Sequence, residues 1–286
     1  MNLKLIECPR DAMQGLHTFI ETEKKTAYIN QLLKVGFHTI DFGSFVSPKT
    51  IPQMRDTATV LNGLDLGSTR SKLLAIVGNS RGAEDACQFE QISYLGYPFS
   101  ISETFQQRNT NASIADSLLR VSEIQNLCVQ HNKQLVVYIS MAFGNPYGDA
   151  YNPDIALNWS EKLAKDLGIK VIALSDTIGS ATPQLISTLF STLIPSLQEV
   201  EIGAHLHSVP LQVAEKAAAA YNAGCRRFDG ALKGLGGCPM AADKLTGNMN
   251  TELMIEWFEQ AQISHGLDQD ELGKSLLMAG NTFPSE

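Results

Sequence analysis

The sequence lacks long hydrophobic runs, paired cysteines and any excess of positive charge. Its uncharged apolar stretches fall far short of the roughly 18 residues that span a bilayer, so we expect no membrane partner. The five cysteines show no CxxC spacing, which is typical of a reducing, cytoplasmic compartment. Met1–Ile6 is too short for the apolar core of a secretory signal, and acidic Glu7 follows it. The 22 basic and 30 acidic residues give a net charge of −8, which disfavours a nucleic-acid partner.

Two nucleotide-binding motifs are also missing. No GxGxxG follows the first apolar run, which argues against a dinucleotide-binding sheet. The glycine-rich segment 234–239 is not followed by the GK[ST] of a P-loop. What remains is an ordinary globular composition, with 44% hydrophobic and 18% charged residues. A chain of 286 residues with this composition needs no disulfide or metal to fold.

Short apolar runs of strand character alternate with helical patterns along the chain. We predict eight strands, at Leu3–Ile6, His38–Phe42, Lys72–Val77, Phe99–Ile101, Gln134–Ser140, Lys170–Leu174, Ile202–His207 and Arg226–Ala231. The clearest helical patterns are Glu21–Val35, Ser113–Gln130, Pro153–Leu167 and Ser208–Ala223, and the tail reads as one helix, Glu252–Gln262, with a polar end. Parallel neighbours need crossover helices, so eight such units in about 250 residues predict an α/β fold, the (β/α)8 TIM barrel.

We expect one catalytic domain over residues 1–286. The barrel would occupy about 1–240, and a C-terminal loop and helices would occupy 241–286. An open, doubly wound sheet is the alternative architecture.

Ionisable and polar residues cluster just after the predicted strands. In a barrel of this kind the active site lies at the C-terminal ends of the strands. The residues at these positions are Arg10, Asp11, Asp41, Asn79, Glu103, Asp176, His205, His207 and Cys238. Loops are polar in any protein, so the pattern gains weight only together with specific motifs.

His205-Leu206-His207 is the sharpest local motif. Side chains two apart on a strand point to the same side, so both imidazoles would face the barrel mouth. Such a pair binds a divalent metal readily. Asp11 would lie near it, because the first and seventh strands of a closed eight-stranded barrel are only two positions apart.

A second motif is the glycine-rich segment Gly234–Pro239, which contains Cys238. Three glycines in four positions allow close approach of the backbone to a ligand. A cysteine there can donate or accept a proton, since its reference pKa is about 8.5. The other four cysteines we interpret as buried apolar filler.

Six segments of the chain match the motifs of one known family. They are Glu7–Gln14, Ser44–Lys49, Pro52–Met54, Ser102–Phe105, Ser175–Gly179 and Gly234–Pro239. Through them the chain resembles the 3-hydroxy-3-methylglutaryl-CoA lyase family from Leu3 to about Trp257. The Ser-Phe-Val-Ser-Pro-Lys and Gly-Leu-Gly-Gly-Cys-Pro segments are specific to the lyases, whereas the Arg-Asp pair and HxH are shared with related synthases and aldolases.

The resemblance implies a role for individual residues. Asp11, His205, His207 and Asn248 would bind a divalent cation, Mg²⁺ or Mn²⁺. Arg10 would stabilise the enolate oxygen, and Cys238 would protonate the departing acetyl-CoA carbanion. Catalytic roles are also implied for His205, Asp41 and Asp176. Substrate contacts are implied for Gln14, Ser44, Asn79 and Glu103, and a homodimer for the assembly.

The sequence departs from the family at two positions. The family has Glu where this chain has Asp41, and Asp where this chain has Ser208. Asp243 and Lys244 are also inserted in the loop after the glycines. A shift of catalytic groups by about 1 Å can cost on the order of 10²-fold in rate, so these departures bear on the choice of substrate.

The chemistry implied is metal-assisted cleavage of 3-hydroxy-3-methylglutaryl-CoA, an acyl-CoA, to acetyl-CoA and acetoacetate. A base must remove the hydroxyl proton, and His205 is the first candidate and Asp11 the second. One alternative is a related aldolase or condensing enzyme for 2-oxo acids, and another is a lyase for a different 3-hydroxyacyl-CoA. A catalytically degenerate barrel that serves as a binding module is the non-enzymatic alternative.

Overall fold

The protein is described from a computed structural model that covers residues 2–237 and 246–283. Eight parallel strands form a closed barrel in which each strand pairs with the next in sequence, and β8 pairs with β1. The predicted (β/α)8 TIM barrel is therefore confirmed. The strands are β1 (Lys4–Glu7), β2 (Thr39–Ser44), β3 (Lys72–Ile76), β4 (Ile92–Ser100), β5 (Gln134–Ser140), β6 (Val171–Asp176), β7 (Glu201–Leu206) and β8 (Arg227–Gly230).

Eleven α-helices are present in the described part of the chain. Those between the strands surround the barrel, and the last two follow β8. They are α1 (Pro9–Gln14), α2 (Thr22–Val35), α3 (Thr57–Asn62), α4 (Ser80–Cys87), α5 (Glu103–Thr110), α6 (Ile114–Gln130), α7 (Pro153–Leu167), α8 (Pro183–Ser196), α9 (Val213–Asn222), α10 (Thr251–Gln260) and α11 (Gln269–Thr282). None of the described helices is both long and apolar enough to cross a bilayer.

Two predicted elements were wrong in extent. The fourth strand covers Ile92–Ser100 and not only Phe99–Ile101. Gly96 and Pro98 interrupt the apolar pattern of this segment, but it pairs with β5 from Tyr94 to Ser100. The helix predicted from Ser208 begins only at Val213. Pro210 starts a separate 3-10 turn before it, since proline donates no backbone hydrogen bond.

The polar end predicted for the tail was also wrong, because α11 forms there. Its buried positions Leu272, Ser275, Ala279 and Thr282 repeat at helical spacing, but only one of them is strongly apolar, so the periodic signal is weak. The helix packs beside α2, where the backbone N–H of Asp268 donates to the carbonyl of Val35 over 2.9 Å.

Buried apolar side chains form an inner and an outer cluster. The outer cluster fills the space between strands and helices, and α2, α6 and α8 each present a buried stripe to it. The inner cluster fills the barrel. Its members are Leu74, Ile76, Tyr94, Val136, Tyr138, Val171 and Ala173. The barrel is therefore a packed core with chemistry available only at its ends.

Gly96 tests this packing, because its missing side chain makes room for the inner cluster. A Cβ at this position would lie 2.5 Å from Ile76 Cδ1 and 3.0 Å from Tyr138 Cε2. We expect Gly96→Ala to lower the free energy of unfolding by about 1–3 kcal/mol. Gly273→Ala in α11 is the control, since a Cβ there meets nothing within 4 Å, and it should be neutral or stabilising. Equal denaturation midpoints for both variants would contradict the packing.

Candidate active site

Asp11, His205 and His207 bring their ligand atoms within 4.8 Å of one another at the C-terminal end of the barrel. Asp11 does not lie on a strand. Pro9 occupies the first helical position directly after β1, so the chain turns at once into α1 and Asp11 lies in its first turn. His205 is the penultimate residue of β7 and His207 directly follows the strand, and only β8 lies between β7 and β1. The geometry therefore unites all three residues as the spacing predicted.

The two histidines have opposite electrostatic surroundings. Burial lowers the pKa of His207 to about 4, and the charge of His205 acts in the same direction. Burial also lowers the pKa of His205, but the hydrogen bond and charge of Asp229 outweigh it, so its pKa is raised. His205 Nδ1 lies 3.2 Å from Asp229 Oδ2. A neutral His207 offers a lone pair to a cation, whereas His205 is an oriented and more basic imidazole.

Asn248 reaches this group because the chain returns antiparallel to the end of β7. A bridge pairs His207 with Asn248, and the Ser208 N–H donates to the Gly247 carbonyl over 3.0 Å. The Asn248 amide nitrogen donates to Asp11 Oδ2 over 2.7 Å and to the Leu235 carbonyl over 2.8 Å. The structure thus brings together all four residues predicted to bind metal. Ser208 adds no carboxylate, and its hydroxyl donates to a backbone carbonyl instead.

Arg10 is fixed between two carboxylates. Its Nε donates to Asp41 over 3.0 Å, and its Nη1 donates to Asp11 over 3.0 Å and to Gln14 over 2.9 Å. Burial raises the pKa of Asp41 to about 6, although Arg10 counteracts it. The Asp41 side chain lies behind Arg10 and does not line the pocket, so the structure places it as a partner of the arginine.

The pocket that contains these groups has a volume of about 440 Å³. Arg10, Asp11, Gln14, His205 and His207 line one part of it, and apolar side chains such as Ile76 and Phe105 line another. A larger cavity of about 690 Å³ lies at the N-terminal ends of β2 and β3, lined by residues such as Lys34 and Arg70. None of the predicted site residues that the structure describes lines that second cavity, whereas several of them line the smaller one.

The predicted substrate residues divide into two groups. Gln14 and Asn79 line the pocket, although the Asn79 side chain also caps α4 by accepting from the Gly82 N–H. Ser44 is buried away from it and donates to the Ile76 carbonyl over 3.2 Å. Glu103 opens α5 and accepts from the backbone N–H of Ile114, outside the pocket. The structure does not bring Ser44 and Glu103 to the pocket.

Asp176 points away from the pocket and pairs with a buried lysine. Lys216 Nζ donates to Asp176 Oδ2 over 3.0 Å and to the His207 carbonyl over 2.9 Å. Asp176 therefore acts on the site through Lys216 and the backbone of a predicted ligand. Sequence reasoning missed Lys216. The available signal was its spacing, because it falls on the buried face of α9 with Val213, Ala217 and Ala220.

Cys238 lies outside the described residues, as do Asp243 and Lys244. The glycines before it are described, and Gly236 explains the motif. Its φ is +88°, and a Cβ on it would lie 2.6 Å from the Asp11 carbonyl oxygen and 2.8 Å from Asn248 Nδ2. Only glycine permits this approach, so the segment leading to Cys238 packs directly on two predicted metal ligands.

Glu7 is a second residue that sequence reasoning did not single out. Its two carboxyl oxygens accept from the Leu232 N–H over 2.8 Å and from the Thr251 hydroxyl over 2.7 Å. It thereby ties β1 to the segments on both sides of the glycine-rich loop. Burial raises the pKa of Glu7 to about 8, despite both hydrogen bonds.

Comparison with known proteins agrees with this geometry. The sequence pattern of the HMGL-like family matches residues 3–276. The chain is 34% identical to the hydroxymethylglutaryl-CoA lyase YngG of Bacillus subtilis, over 92% of this chain and 87% of that protein. It is 32% identical to the 3-hydroxy-3-isohexenylglutaryl-CoA/hydroxymethylglutaryl-CoA lyase of Pseudomonas aeruginosa, over 94% and 89% respectively.

A solved structure extends the comparison to three dimensions. The HMG-CoA lyase of Acinetobacter baumannii, in complex with coenzyme A and 3-methylmalate, superposes with a TM-score of 0.90 at 31% identity. The match covers 100% of this chain and 93% of that one. The barrel, the helices around it and the segments after β8 are thus shared over the whole length.

The raised pKa of Glu7 predicts that the free energy of unfolding depends on pH. Its folded pKa of about 8 exceeds the ordinary value of 4.5, so the fold favours the protonated form. The stability from this group is complete below pH 4.5 and is lost as the pH rises through 8. We expect Glu7→Gln, which mimics the neutral acid, to gain on the order of a few kcal/mol over the wild type between these pH values. Denaturant unfolding of both proteins across that range measures the difference, and parallel pH profiles would contradict it.

Proposed function

The chain belongs to the HMGL-like family, and from that premise we propose that it cleaves 3-hydroxy-3-methylglutaryl-CoA to acetyl-CoA and acetoacetate. The observation that supports this activity most directly is the convergence of Asp11, His205 and His207 beside Arg10 in one pocket. The reaction is a carbon–carbon cleavage. It requires removal of a hydroxyl proton, stabilisation of an enolate and protonation of the enolate's methylene carbon, which becomes the methyl group of acetyl-CoA.

The residues present fit a divalent cation. Three ligand atoms lie within 4.8 Å of one another, and His207 Nδ1 is buried with no hydrogen-bond partner among the described residues. Asn248 would add its amide oxygen, while its nitrogen keeps the Leu235 carbonyl. This mixed N/O set suits Mg²⁺ or Mn²⁺. Such an ion supplies Lewis acidity, which lowers the pKa of a bound hydroxyl.

Arg10 would provide fixed positive charge for the enolate oxygen. Its contacts with Asp11, Asp41 and Gln14 hold the guanidinium in one orientation at the pocket wall. A preorganised charge of this kind needs no reorganisation during the reaction. Asp41 and Asp176 would act as positioning residues, the first through Arg10 and the second through Lys216.

His205 is our first candidate for the base, and Asp11 is the second. The pair with Asp229 orients the His205 ring and makes it more basic. A nitrogen that holds a cation cannot take a proton in the same step. The base role of His205 therefore requires that Asp11, His207 and Asn248 keep the ion while His205 acts.

Cys238 is proposed as the acid that protonates the departing carbanion. The support is the close approach of Gly236, two residues before Cys238 in sequence, to the backbone of α1 at Asp11. We also propose an acyl-CoA as the substrate, a homodimer as the assembly and the cytoplasm as the compartment. The first of these is supported by the relative solved with coenzyme A.

A lyase for a different 3-hydroxyacyl-CoA is the second candidate. Asp41 replaces the family's glutamate behind Arg10, and the pocket has an apolar wall formed by residues such as Ile76, Pro98 and Phe105. A longer alkyl group at C3 would fit against that wall, as the isohexenyl relative illustrates by its name. The 2-oxo-acid aldolase and the non-catalytic barrel have no such observation in their favour.

Metal removal tests the proposal. We expect acetoacetate release from 3-hydroxy-3-methylglutaryl-CoA to cease in chelator and to return with Mg²⁺ or Mn²⁺. His207→Ala should lower kcat on the order of 10²-fold or more and weaken Mn²⁺ binding, because it removes a buried ligand. His131→Ala, on the exposed end of α6, is the matched control and should leave both unchanged.

A panel of thioesters with C3 substituents from methyl to a six-carbon chain separates the two candidate substrates. Chelator-resistant turnover of any member would contradict the metal assignment. Absence of turnover for all members, with Mn²⁺ still bound, would contradict the lyase proposal.

A further inference from the structure

Cys8 lies below the proposed metal site, at the bend between β1 and α1. It is fully buried, and from the sequence we interpreted it only as apolar filler. One ligand atom each from Cys8, His205 and Asp229 nevertheless lies within 4.8 Å of the others. These residues form a sulfur, nitrogen and oxygen set that the proposed reaction does not use as a unit.

The barrel register explains why the three residues meet. Asp229 of β8 is paired with Ile6 of β1 on one side and with His205 of β7 on the other. Cys8 directly follows the last residue of β1 and is the N-cap of α1, at the same end of the barrel. The cluster is therefore formed by two adjacent strands, β7 and β8, and the residue that follows β1.

The Asp229 carboxylate provides a second, independent observation at this cluster. Its Oδ2 contacts His205 Nδ1 at 3.2 Å, but its Oδ1 is buried with no hydrogen-bond partner among the described residues. Arg227 Nε lies 4.0 Å from Oδ1, which is close enough for an ion pair but too far for a hydrogen bond. A buried carboxylate oxygen without a hydrogen bond is costly, and a metal ion would satisfy it.

The surrounding charges add to this attraction. The carboxylates of Asp229, Asp41, Asp11 and Glu7 all raise the pKa of the Cys8 thiol, after burial as the largest cause. Asp229 has the largest effect among these carboxylates, and their negative charge acts at the sulfur. A divalent cation bound to the sulfur would reduce the repulsion that now opposes a thiolate.

We propose that Cys8, His205 and Asp229 form a second metal site, selective for a soft divalent cation such as Zn²⁺ or Cd²⁺, and that its occupation inhibits the enzyme. Thiolate with imidazole and carboxylate is a ligand set typical of tetrahedral zinc, and Mg²⁺ avoids sulfur. The activity that is inhibited rests on the proposed function, but binding itself does not.

Inhibition follows from the shared histidine. The contact with Asp229 shows that His205 Nδ1 faces the second site. A neutral imidazole that binds a cation through Nδ1 has its proton on Nε2, which then has no lone pair for a second ion or for a substrate proton. Binding also releases the thiol proton to solvent, so one proton leaves per ion and no electrons are transferred.

Cd²⁺ tests the site directly, because its bond to thiolate produces an ultraviolet charge-transfer band. We expect one equivalent of Cd²⁺ to produce this band in the wild-type protein. Cys8→Ala should lose it and bind Cd²⁺ at least about tenfold more weakly, while Cys238→Ala should retain it. Cys8→Ser is a second variant of similar size, and a thermal melt of each protein shows whether it is folded.

Two outcomes overturn the proposal. A band that persists in Cys8→Ala and vanishes in Cys238→Ala would assign the soft metal to the glycine-rich loop. Absence of any band in the folded wild type would exclude the site.

A second experiment tests the inhibition. It measures the Zn²⁺ concentration that halves the rate at a fixed Mn²⁺ concentration, with each variant compared with its own uninhibited rate. We expect this Zn²⁺ concentration to rise about tenfold or more for Cys8→Ala. An unchanged concentration would show that the Cys8 thiol takes no part in the inhibition. If no variant shows lyase activity, the Cd²⁺ titration still decides the binding site.

Discussion

The carboxylate of Asp11 is the contact point on which the site depends. It accepts hydrogen bonds from Arg10 and Gln14 of its own helix and from Asn248, which lies 237 residues away in sequence. These bonds join the first strand of the barrel to the segment that follows the last one. Because Arg10 also pairs with Asp41 of β2, three parts of the barrel rim are held in one network. Burial penalises the charge on Asp11, but the charges of Arg10 and His205 and the hydrogen bond from Asn248 act against it, and the pKa of Asp11 is lowered, so it remains ionised.

His205 lies between two groups of side chains that differ in their binding chemistry. On the pocket side, Asp11, His207 and Asn248 present oxygen and nitrogen. On the side of the barrel interior, Asp229 and Cys8 present oxygen and sulfur. The tautomer of one imidazole decides which set can act, and Asp229 keeps the proton on the inner nitrogen when no soft ion is bound. The Asp229 carboxylate would thus orient His205 for the reaction and also make the enzyme sensitive to inhibition by soft metal ions.

Much of this arrangement was predictable from sequence because it follows local rules. The alternation of strands and helices predicted the barrel fold, and the polar residues that follow the strands predicted which end of the barrel carries the site. His205 and His207 were predictable from strand alternation, and Asp11 from the circular order of strands. These inferences need only periodicity and topology. The family resemblance supplied Asn248, whose placement depends on a loop that pairs with the end of β7.

The remaining parts required three-dimensional packing. Lys216 looks like one more charged residue in an alanine-rich helix, yet its stem is buried and its ammonium group serves Asp176 and two carbonyls. Ser44 and Glu103 each lie two residues before a pocket residue in sequence. The Ser44 hydroxyl nevertheless donates to a backbone carbonyl, and the Glu103 carboxylate accepts from a backbone N–H at the start of a helix. Cys8 looked like core filler because no spacing rule links it to His205 or Asp229. Such contacts between distant segments have no signature in a single sequence.

Anomalous diffraction from crystals grown with Mn²⁺ is the most direct measurement of the central claim. The account predicts one strong manganese peak within bonding distance of Asp11, His205 and His207, with the Asn248 amide oxygen turned toward it. A peak elsewhere at the barrel mouth, or none at a saturating concentration of Mn²⁺, would contradict it.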